Sequence, residues 1–495
     1  MSLTEKFFQC CKSFSQKTAI VDEKGAISYG ELLKLASDLS AIFQKLGVSV
    51  PSPSSRVGSG GLQTKAGLCL PNSREFVASY FALLFNGITP VIINPLFSPL
   101  QIAYVVKDSS IESIITSSSF KDLVGGVVKE CIYLDQIPPL PAVSSLAPPV
   151  PLREEDIAAI FYTSGTSANP KGVMLTHKNV LSNLEGCFLP FGFSDRDIFL
   201  GVIPLFHTFA FTVTLVMPLL FGASVVYISR FSGPRVLESI EKEKVTFLLA
   251  IPSMYKAVVR TAQTSTHDLS SLRLAVTGGE PVPMELLNAF QKIFSVPLLE
   301  GYGLTEASPI VSVNTPESYK YGTAGHPLPN VEVRIIGEDY HGLPPGKEGD
   351  IWVRGPNIMK GYLNLPELTR ETITPEGWLK TGDIGRLDEE GFLKITGRKK
   401  ELIIISGENV APAEIEDIIT RHSGVFEVAV VGVPDRLRGE VPKAYVVCRS
   451  DTPLSEDQLR EYCHQHLPHY KVPRLFEFRK ELPHGPTGKV LKRAL

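Results

Sequence analysis

Cysteine is sparse and poorly spaced for chemistry. The chain has seven, at positions 10, 11, 69, 131, 187, 448 and 463, and no pair stands in CxxC spacing. That excludes the common zinc-ribbon and thioredoxin-type motifs. A chain of 495 residues buries enough apolar surface to need no disulfide staples, so a reducing, cytoplasmic setting is expected. A surplus of charge is also missing: 49 Lys and Arg stand against 52 Asp and Glu. Nothing in that balance favours a nucleic-acid partner. The segment MSLTEKFFQCCKSF lacks a basic stretch followed by an apolar one, so no secretory signal is expected. No internal repeat of roughly 20–50 residues is visible, and the 40 glycines and 38 prolines follow no low-complexity period. They read as tight turns in a globular chain.

One stretch is long and free of charge. Ile198 to Ile228 contains no Asp, Glu, Lys or Arg, which exceeds the length of a membrane-spanning helix. Pro204, His207, Pro218 and Gly222 interrupt it. It therefore reads as loop, buried helix, a turn at Phe221-Gly222-Ala223 and the strand Ser224–Ile228. A surface lying against a membrane, without spanning it, is the remaining reading.

The rest alternates strand and helix. Ser28 to Glu31 form a capping box, followed by Leu32, Leu35, Ala36, Leu39, Ile42, Phe43 and Leu46 on one helical face, with Gly47 at its end. A Ser/Pro/Gly-rich piece, Val50–Gly61, reads as a surface insertion before the strand Ala66–Leu70. Phe76–Phe85 reads as a helix and Thr89–Ile93 as a strand. Ile157–Tyr162, Val245–Ala250 and Leu272–Thr277 are short apolar runs without alternation, as buried parallel strands are, and Met284–Phe294 is helical. In such sheets ligands sit beyond the carboxyl ends of the strands. From about 331 the texture changes to alternating strands, Val331–Ile336, Asp350–Arg354 and Phe392–Thr396, which suggest a small antiparallel sheet or barrel. Past Gly397 it changes again. A helix over Glu414–Thr420, strands over Val425–Val433 and Ala444–Val447, and a helix over Ser455–Leu467 with its own capping box make a small α+β domain.

Four segments carry the chemistry. Thr163-Ser164-Gly165-Thr166-Ser167-Ala168-Asn169-Pro170-Lys171-Gly172 follows a buried strand and offers hydroxyls, backbone N–H groups and an ammonium to a polyphosphate. It is not a Walker loop, because Pro170 precedes the lysine and Gly172 follows it. In Glu300-Gly301-Tyr302-Gly303-Leu304-Thr305-Glu306, the glycines allow close approach and the tyrosine suits a flat base. Thr305 suits a phosphate and Glu306 a magnesium ion. In Trp378-Leu379-Lys380-Thr381-Gly382-Asp383, the aspartate after a Thr-Gly turn suits ribose hydroxyls, with Arg398 adding charge nearby. Pro486-Thr487-Gly488-Lys489 sets a lysine after a glycine turn.

In order and spacing these segments resemble the adenylate-forming superfamily of acyl-CoA synthetases, aryl-CoA ligases, peptide-synthetase adenylation domains and luciferases. TSGTSANPKG resembles its phosphate loop. PLFHTFA at 204–210, TGGEPVP at 277–283, GYGLTEASP at 301–309, GWLKTGD at 377–383, GRKKELIIISGENVAPAEIE at 397–416 and GPTGK at 485–489 resemble its other motifs. The resemblance spans essentially the whole chain and is greatest to fatty acyl-CoA synthetases. It implies an α/β fold: a large N-terminal domain over 1–397, with two parallel-type α/β subdomains and a distorted β-barrel, then a small mobile α+β domain over 398–495. It departs from the family pattern at Ala168, where glycine is usual, at Glu280, where a small residue is frequent, and at the Val50–Gly61 insertion.

The implied activity is ATP-dependent conversion of a carboxylic acid, a medium- or long-chain fatty acid, to an acyl-adenylate, and transfer to coenzyme A. An acyl-carrier-protein thiol, an aryl acid, a luciferase-type reaction and a non-catalytic acyl- or nucleotide-binding role are the alternatives. By resemblance Thr163, Ser164, Gly165, Thr166, Ser167 and Lys171 hold the β/γ-phosphates. Glu306 binds Mg²⁺, and Thr305 takes the α-phosphate. Gly279, Glu280, Pro281 and Tyr302 frame the adenine, and Asp383 and Arg398 hold the ribose. Lys489 bridges carboxylate and α-phosphate, with His207 beside the carboxylate. Lys400 is the hinge about which Lys489 withdraws and the Ser406–Glu408 loop arrives. The apolar Ile198–Ile228 stretch would line an acyl tunnel, where each buried methylene contributes about 0.8 kcal/mol.

Overall fold

A computed structural model describes residues 1–48, 64–137, 149–163, 169–280, 282–405, 408–435, 438–449, 454–484 and 490–495. The Val50–Gly61 insertion therefore lies outside the described residues, as do Ser164 to Ala168, Pro281, Ser406 and Lys489. The chain divides into two compact units. One comprises Met1–Glu332 with Val353–Leu379, the other Val333–Trp352 with Lys380–Leu495.

The first unit holds two mixed sheets with parallel centres. The larger has nine strands. Its parallel centre runs Leu298–Gly303, Leu274–Gly278, Phe247–Leu249, Ile198–Gly201, Ser224–Tyr227, Thr18–Asp22. Ile310–Val313 and His326–Pro327 extend one edge antiparallel, and Gly25–Ser28 the other. These central strands are short, apolar and buried, as the unalternating runs predict.

The second sheet has seven strands. Here Ile157–Thr163 departs from expectation. It pairs in parallel with Thr89–Ile92 on one side, but antiparallel with Lys171–Thr176 on the other. The next described element after it is thus an antiparallel strand, where a helix was expected. Gly361–Tyr362 adds a last antiparallel strand against Lys171–Thr176.

The charge-free stretch is cut into pieces too short to span a bilayer. Ile198–Gly201 and Ser224–Tyr227 are strands, and Thr208–Phe221 is helical with a π-helical middle over Phe211–Val216. Gly222 closes that helix at φ +77°, the left-handed conformation glycine adopts without cost. Among the described residues no helix is long and apolar enough to cross a membrane. The capping box at Ser28 and Glu31 starts the helix Tyr29–Lys45. Its buried face takes Leu33 where Leu35 was expected, and Leu46 lies exposed beyond the last turn. All seven cysteines are free thiols.

The second unit holds a four-stranded sheet, in the order Glu332–Ile336, Gly349–Arg354, Leu379–Leu387, Leu393–Arg398. The Thr-Gly turn expected at 381–382 is instead a kink within the strand Leu379–Leu387, where Gly382 adopts φ +75°. Beyond it, Val425–Asp435 and Gly439–Cys448 form a long hairpin, joined in parallel by Leu475–Arg479. The helices Pro412–Thr420 and Glu456–His466 bury Ile415, Ile419, Leu459 and Cys463 in one core with Val430 and Val446. The capping box of Ser455 and Gln458 is present.

The first unit buries one histidine completely. His177 opens the helix His177–Phe191, and its Nδ1 accepts the Leu3 N–H at 3.3 Å. Burial pushes its pKa from 6.5 down to about 4, and the nearby Asp156 charge offsets this only in part. Between those values the unfolded chain binds the proton and the folded chain does not, so stability falls as pH drops through that window. The loss amounts to about 3 kcal/mol by pH 4. Denaturant unfolding of the wild type and His177→Gln at pH 7 and pH 4.5 checks this. The variant should lack this part of the acid slope, and equal slopes would assign it to other groups.

Candidate active site

The site begins on the antiparallel pair Ile157–Thr163 and Lys171–Thr176 of the seven-stranded sheet. Thr163 ends its strand directly opposite Lys171. Gly172 follows because the hairpin is tight: a Cβ there would lie 3.0 Å from the Tyr162 ring and 3.2 Å from Leu363. The adjoining segment is stitched across by Lys360 N–H to Met174 O at 3.0 Å and Leu363 N–H to Gly172 O at 2.8 Å. Tyr362 lies between these bonds. The Lys171 ammonium stands 5.4 Å over its ring.

The same tyrosine reaches the second motif. Its hydroxyl donates to Glu306 Oε1 at 2.8 Å, and Met359 N–H donates to Glu306 O at 2.8 Å. Burial and the Glu306 charge raise the Tyr362 pKa well above its ordinary value, so the phenol stays a donor. Thr305 and Glu306 occupy the short turn Thr305–Ala307. Two fully buried asparagines secure its far end. Asn183 Nδ2 donates to Ile310 O at 2.7 Å while its Oδ1 accepts Ile310 N–H at 3.2 Å, and Asn357 Nδ2 donates to Ala307 O at 2.8 Å. The Thr208 hydroxyl donates to Thr305 Oγ1 at 3.2 Å. That bond brings the PLFHTFA segment in, with half-buried His207 just before the Thr208–Ala210 helix. Buried Asn72 holds the preceding loop, donating to Ile203 O at 2.9 Å and accepting Leu205 N–H at 2.8 Å.

Register joins the glycine-rich motifs. Gly278 pairs with Gly301, and a Cβ on Gly278 would lie 2.8 Å from Gly301 O. The strand Leu298–Gly303 runs on through Tyr302 instead of ending before the glycines. Tyr302 is half-buried opposite Ser312, and Gly279 turns the chain away at φ +88° toward half-buried Glu280. The structure thus assembles Thr163, Lys171, His207, Gly279, Glu280, Tyr302, Thr305 and Glu306 within one unit.

Asp383, Arg398 and Lys400 belong to the other unit. Asp383 and Arg398 are register partners across a hairpin, and Arg398 Nε lies 3.0 Å from Asp383 Oδ1. Asp383 is 3% exposed, so this pair is built in and not a passing surface contact. Lys400 is exposed in the turn Lys399–Glu401. Ser164, Gly165, Thr166, Ser167, Pro281 and Lys489 lie outside the described residues.

Among the described residues no group of three or more His, Cys, Asp or Glu could hold a metal. Glu306 offers one carboxylate, and Thr305, next to it in sequence, offers a hydroxyl bonded to Thr208. Few, hard oxygen donors suit Mg²⁺, which takes one or two carboxylates together with substrate phosphates. Sequence reading missed Tyr362, Thr208, Asn72, Asn183 and Asn357. Asn183 carried a signal: an amide between Leu181 and Leu184 on an otherwise buried helix must satisfy polar groups there. Tyr362 carried none.

Residues 7–363 match the family model described as AMP-binding enzyme, and residues 414–489 that described as AMP-binding enzyme C-terminal domain. The chain is 33% identical to a long-chain-fatty-acid–CoA ligase of Escherichia coli O6:H1, covering 100% of this chain and 94% of that one. It is 34% identical to 4-coumarate–CoA ligase 1 of Arabidopsis thaliana, covering 100% and 92%. It is similar in structure to the o-succinylbenzoate coenzyme A synthetase of Bacillus subtilis solved with ATP and magnesium ion, with a TM-score of 0.85 at 30% identity over 99% and 98% of the two chains. The motif order and these matches agree, and the chain belongs to the AMP-binding enzyme family as an acid–thiol ligase.

Proposed function

We propose that this ligase activates a medium- or long-chain fatty acid and passes it to coenzyme A. The observation that carries the reading is the Thr208–Thr305 contact. It sets the charge-free stretch beside the nucleotide motifs, where an alkyl chain would gain about 0.8 kcal/mol per buried methylene. The relative from Escherichia coli named for long-chain fatty acids supports it. The Arabidopsis thaliana relative named for 4-coumarate, equally similar, makes an aryl acid the second reading.

In the first half-reaction a carboxylate oxygen attacks the α-phosphorus of ATP, the bond to the bridging oxygen breaks and pyrophosphate leaves. In the second, the coenzyme A sulfur attacks the acyl carbonyl, AMP leaves and the thiol proton passes to solvent. Both reactants of the first step are anionic, so charge must be neutralised and the atoms held in line. Mg²⁺ at Glu306 supplies part of that neutralisation. The chain supplies the rest: Thr163, Ser164, Gly165, Thr166, Ser167 and Lys171 along the β/γ-phosphates, and Thr305 at the α-phosphate. Gly279, Glu280, Pro281 and Tyr302 frame the adenine, while Asp383 and Arg398 hold the ribose. His207 stands beside the carboxylate, and Lys489 bridges it to the α-phosphate. The domain over 398–495 turns about Lys400, so that Lys489 serves the first half-reaction and the Ser406–Glu408 loop the second.

Pyrophosphate release across alkyl and aryl acids, with and without coenzyme A, tests this. Specificity, kcat/KM, should rise about fourfold per methylene until the pocket is full. Preference for an aryl acid over every alkyl acid would transfer the conclusion to the second reading, and no release with any acid would sink both. Lys489→Ala should lower adenylate formation by roughly 10²–10³, the typical cost of removing one charge-stabilising donor, while thioester formation from supplied acyl-adenylate persists. Lys400→Pro fixes φ and removes an N–H. It should spare adenylation and lose thioester formation, and a folded variant losing both would defeat the hinge role.

A further inference from the structure

Tyr362 touches two groups that must act together on one triphosphate. Its hydroxyl is bonded to the Glu306 carboxylate at 2.8 Å, and its ring lies under the Lys171 ammonium at 5.4 Å. The side chain is 7% exposed, so neither contact is a passing surface encounter. We propose that Tyr362 is a positioning residue: it presets the magnesium carboxylate and the phosphate lysine relative to each other before the nucleotide arrives. This rests on the reading of Glu306 as the magnesium carboxylate.

The backbone around Tyr362 is built for that task. Its N–H donates to Thr369 Oγ1 at 2.9 Å, and Gly361 before it takes φ +142° where a Cβ would lie 2.8 Å from Thr369 Cγ2. Met359 N–H binds Glu306 O, while Lys360 and Leu363 N–H bind Met174 and Gly172 O. Residues 359–363 therefore form a strut between the two motifs. One end is hydrogen-bonded to the strand that leaves the phosphate loop, the other to the Glu306 turn.

The side-chain chemistry follows from the two contacts. The last torsion of a glutamate is broad and nearly unrestricted, so a lone carboxylate must lose that freedom when it binds a cation. The phenol takes Oε1 and removes the freedom in advance. Oε2 has no hydrogen bond among the described residues and stays available to a cation. A neutral donor does this without competing: a lysine or arginine in its place would repel the metal, whereas a phenol leaves the carboxylate charge intact. On the other face, Lys171 has no carboxylate partner among the described residues. The ring attracts the ammonium by its quadrupole without neutralising it, so the charge remains available to a phosphate. A carboxylate in that position would hold the lysine more tightly and cancel it.

The two functions separate by substitution. Tyr362→Phe keeps the ring and loses only the hydroxyl. Tyr362→Leu loses both. ATP binding is titrated by calorimetry at a series of magnesium concentrations and in EDTA, with no acid and no coenzyme A present, on the full chain. Thermal unfolding of each ligand-free variant runs alongside. Tyr362→Phe should raise the magnesium concentration for half-maximal tightening of ATP binding about tenfold, the scale of one hydrogen bond to a charged group. Its affinity for ATP in EDTA should match the wild type, and its unfolding midpoint should fall by no more than about 4 °C, the scale of one lost hydrogen bond. Tyr362→Leu should lose affinity in EDTA as well, and phenylalanine should restore that part alone.

Glu306→Gln is the control. If it shifts the magnesium dependence and Tyr362→Phe does not, the positioning role is overturned while the metal reading stands. If Glu306→Gln leaves the dependence unchanged, the metal reading falls and this inference with it. If phenylalanine and leucine lower affinity equally in EDTA and in magnesium, Tyr362 is structural only, and the proposal is overturned. No acid enters the titration, so the result is independent of which carboxylic acid the enzyme takes.

Discussion

The Glu306 turn is where strands from both sheets of the first unit meet, and its fixation carries the site. Met359 N–H and the Tyr362 hydroxyl hold it from the seven-stranded side. The asparagines at 183 and 357 hold the backbone just beyond it, and Thr208 holds the threonine before it. Each bond uses a buried or half-buried donor whose loss would leave a polar group unsatisfied, at a cost of about 1–3 kcal/mol. Bonds from four sides limit how far such a turn can shift. That is what electrostatic catalysis requires of it, because dipoles that must reorient during the reaction give back part of what they contribute.

Glycine sets how closely the motifs can lie. Gly278 and Gly301 face each other across a strand pair, and Gly303 sits so near the backbone of Pro309 that any side chain would clash. At Gly172 the strand Lys171–Thr176 packs its backbone against Tyr162 and Leu363. These glycines are not hinges. Gly278 and Gly303 mark places where two backbones approach within the width of a methyl group, and Gly172 a place where a strand backbone meets the Tyr162 and Leu363 side chains.

The second unit uses charge differently. Asp383 is nearly inaccessible yet paired with Arg398 across its hairpin, and Lys399 pairs with Asp350 at 2.6 Å beside it. An aspartate so placed keeps its orientation through a partner on the neighbouring strand. The glycine before it bends the strand without ending it, which points Asp383 by register where a turn was expected.

Much of this was legible without coordinates. The apolar strands Leu274–Gly278 and Phe247–Leu249, the helix Met284–Phe294 and the capping boxes at Ser28 and Ser455 follow from hydrophobic period and hydrogen-bonding chemistry within a few residues. Those are local forces, and local sequence reports them. The interrupted Ile198–Ile228 stretch likewise declared itself through its prolines and Gly222. The motifs bearing Lys171, Thr305, Glu306 and Asp383 declared the family through residue type and order. What sequence could not decide was pairing across distance. The antiparallel partner of Ile157–Thr163, the strand that continues through Tyr302, and the kink at Gly382 all depend on which edge a neighbouring strand finds. Tyr362 is the clearest case. Nothing within a few residues of it hints at a carboxylate 56 positions earlier in the chain or a lysine on the adjoining strand. Its role exists only because tertiary packing closes those separations, and side-chain hydrogen bonds between distant segments leave no periodic trace in a sequence.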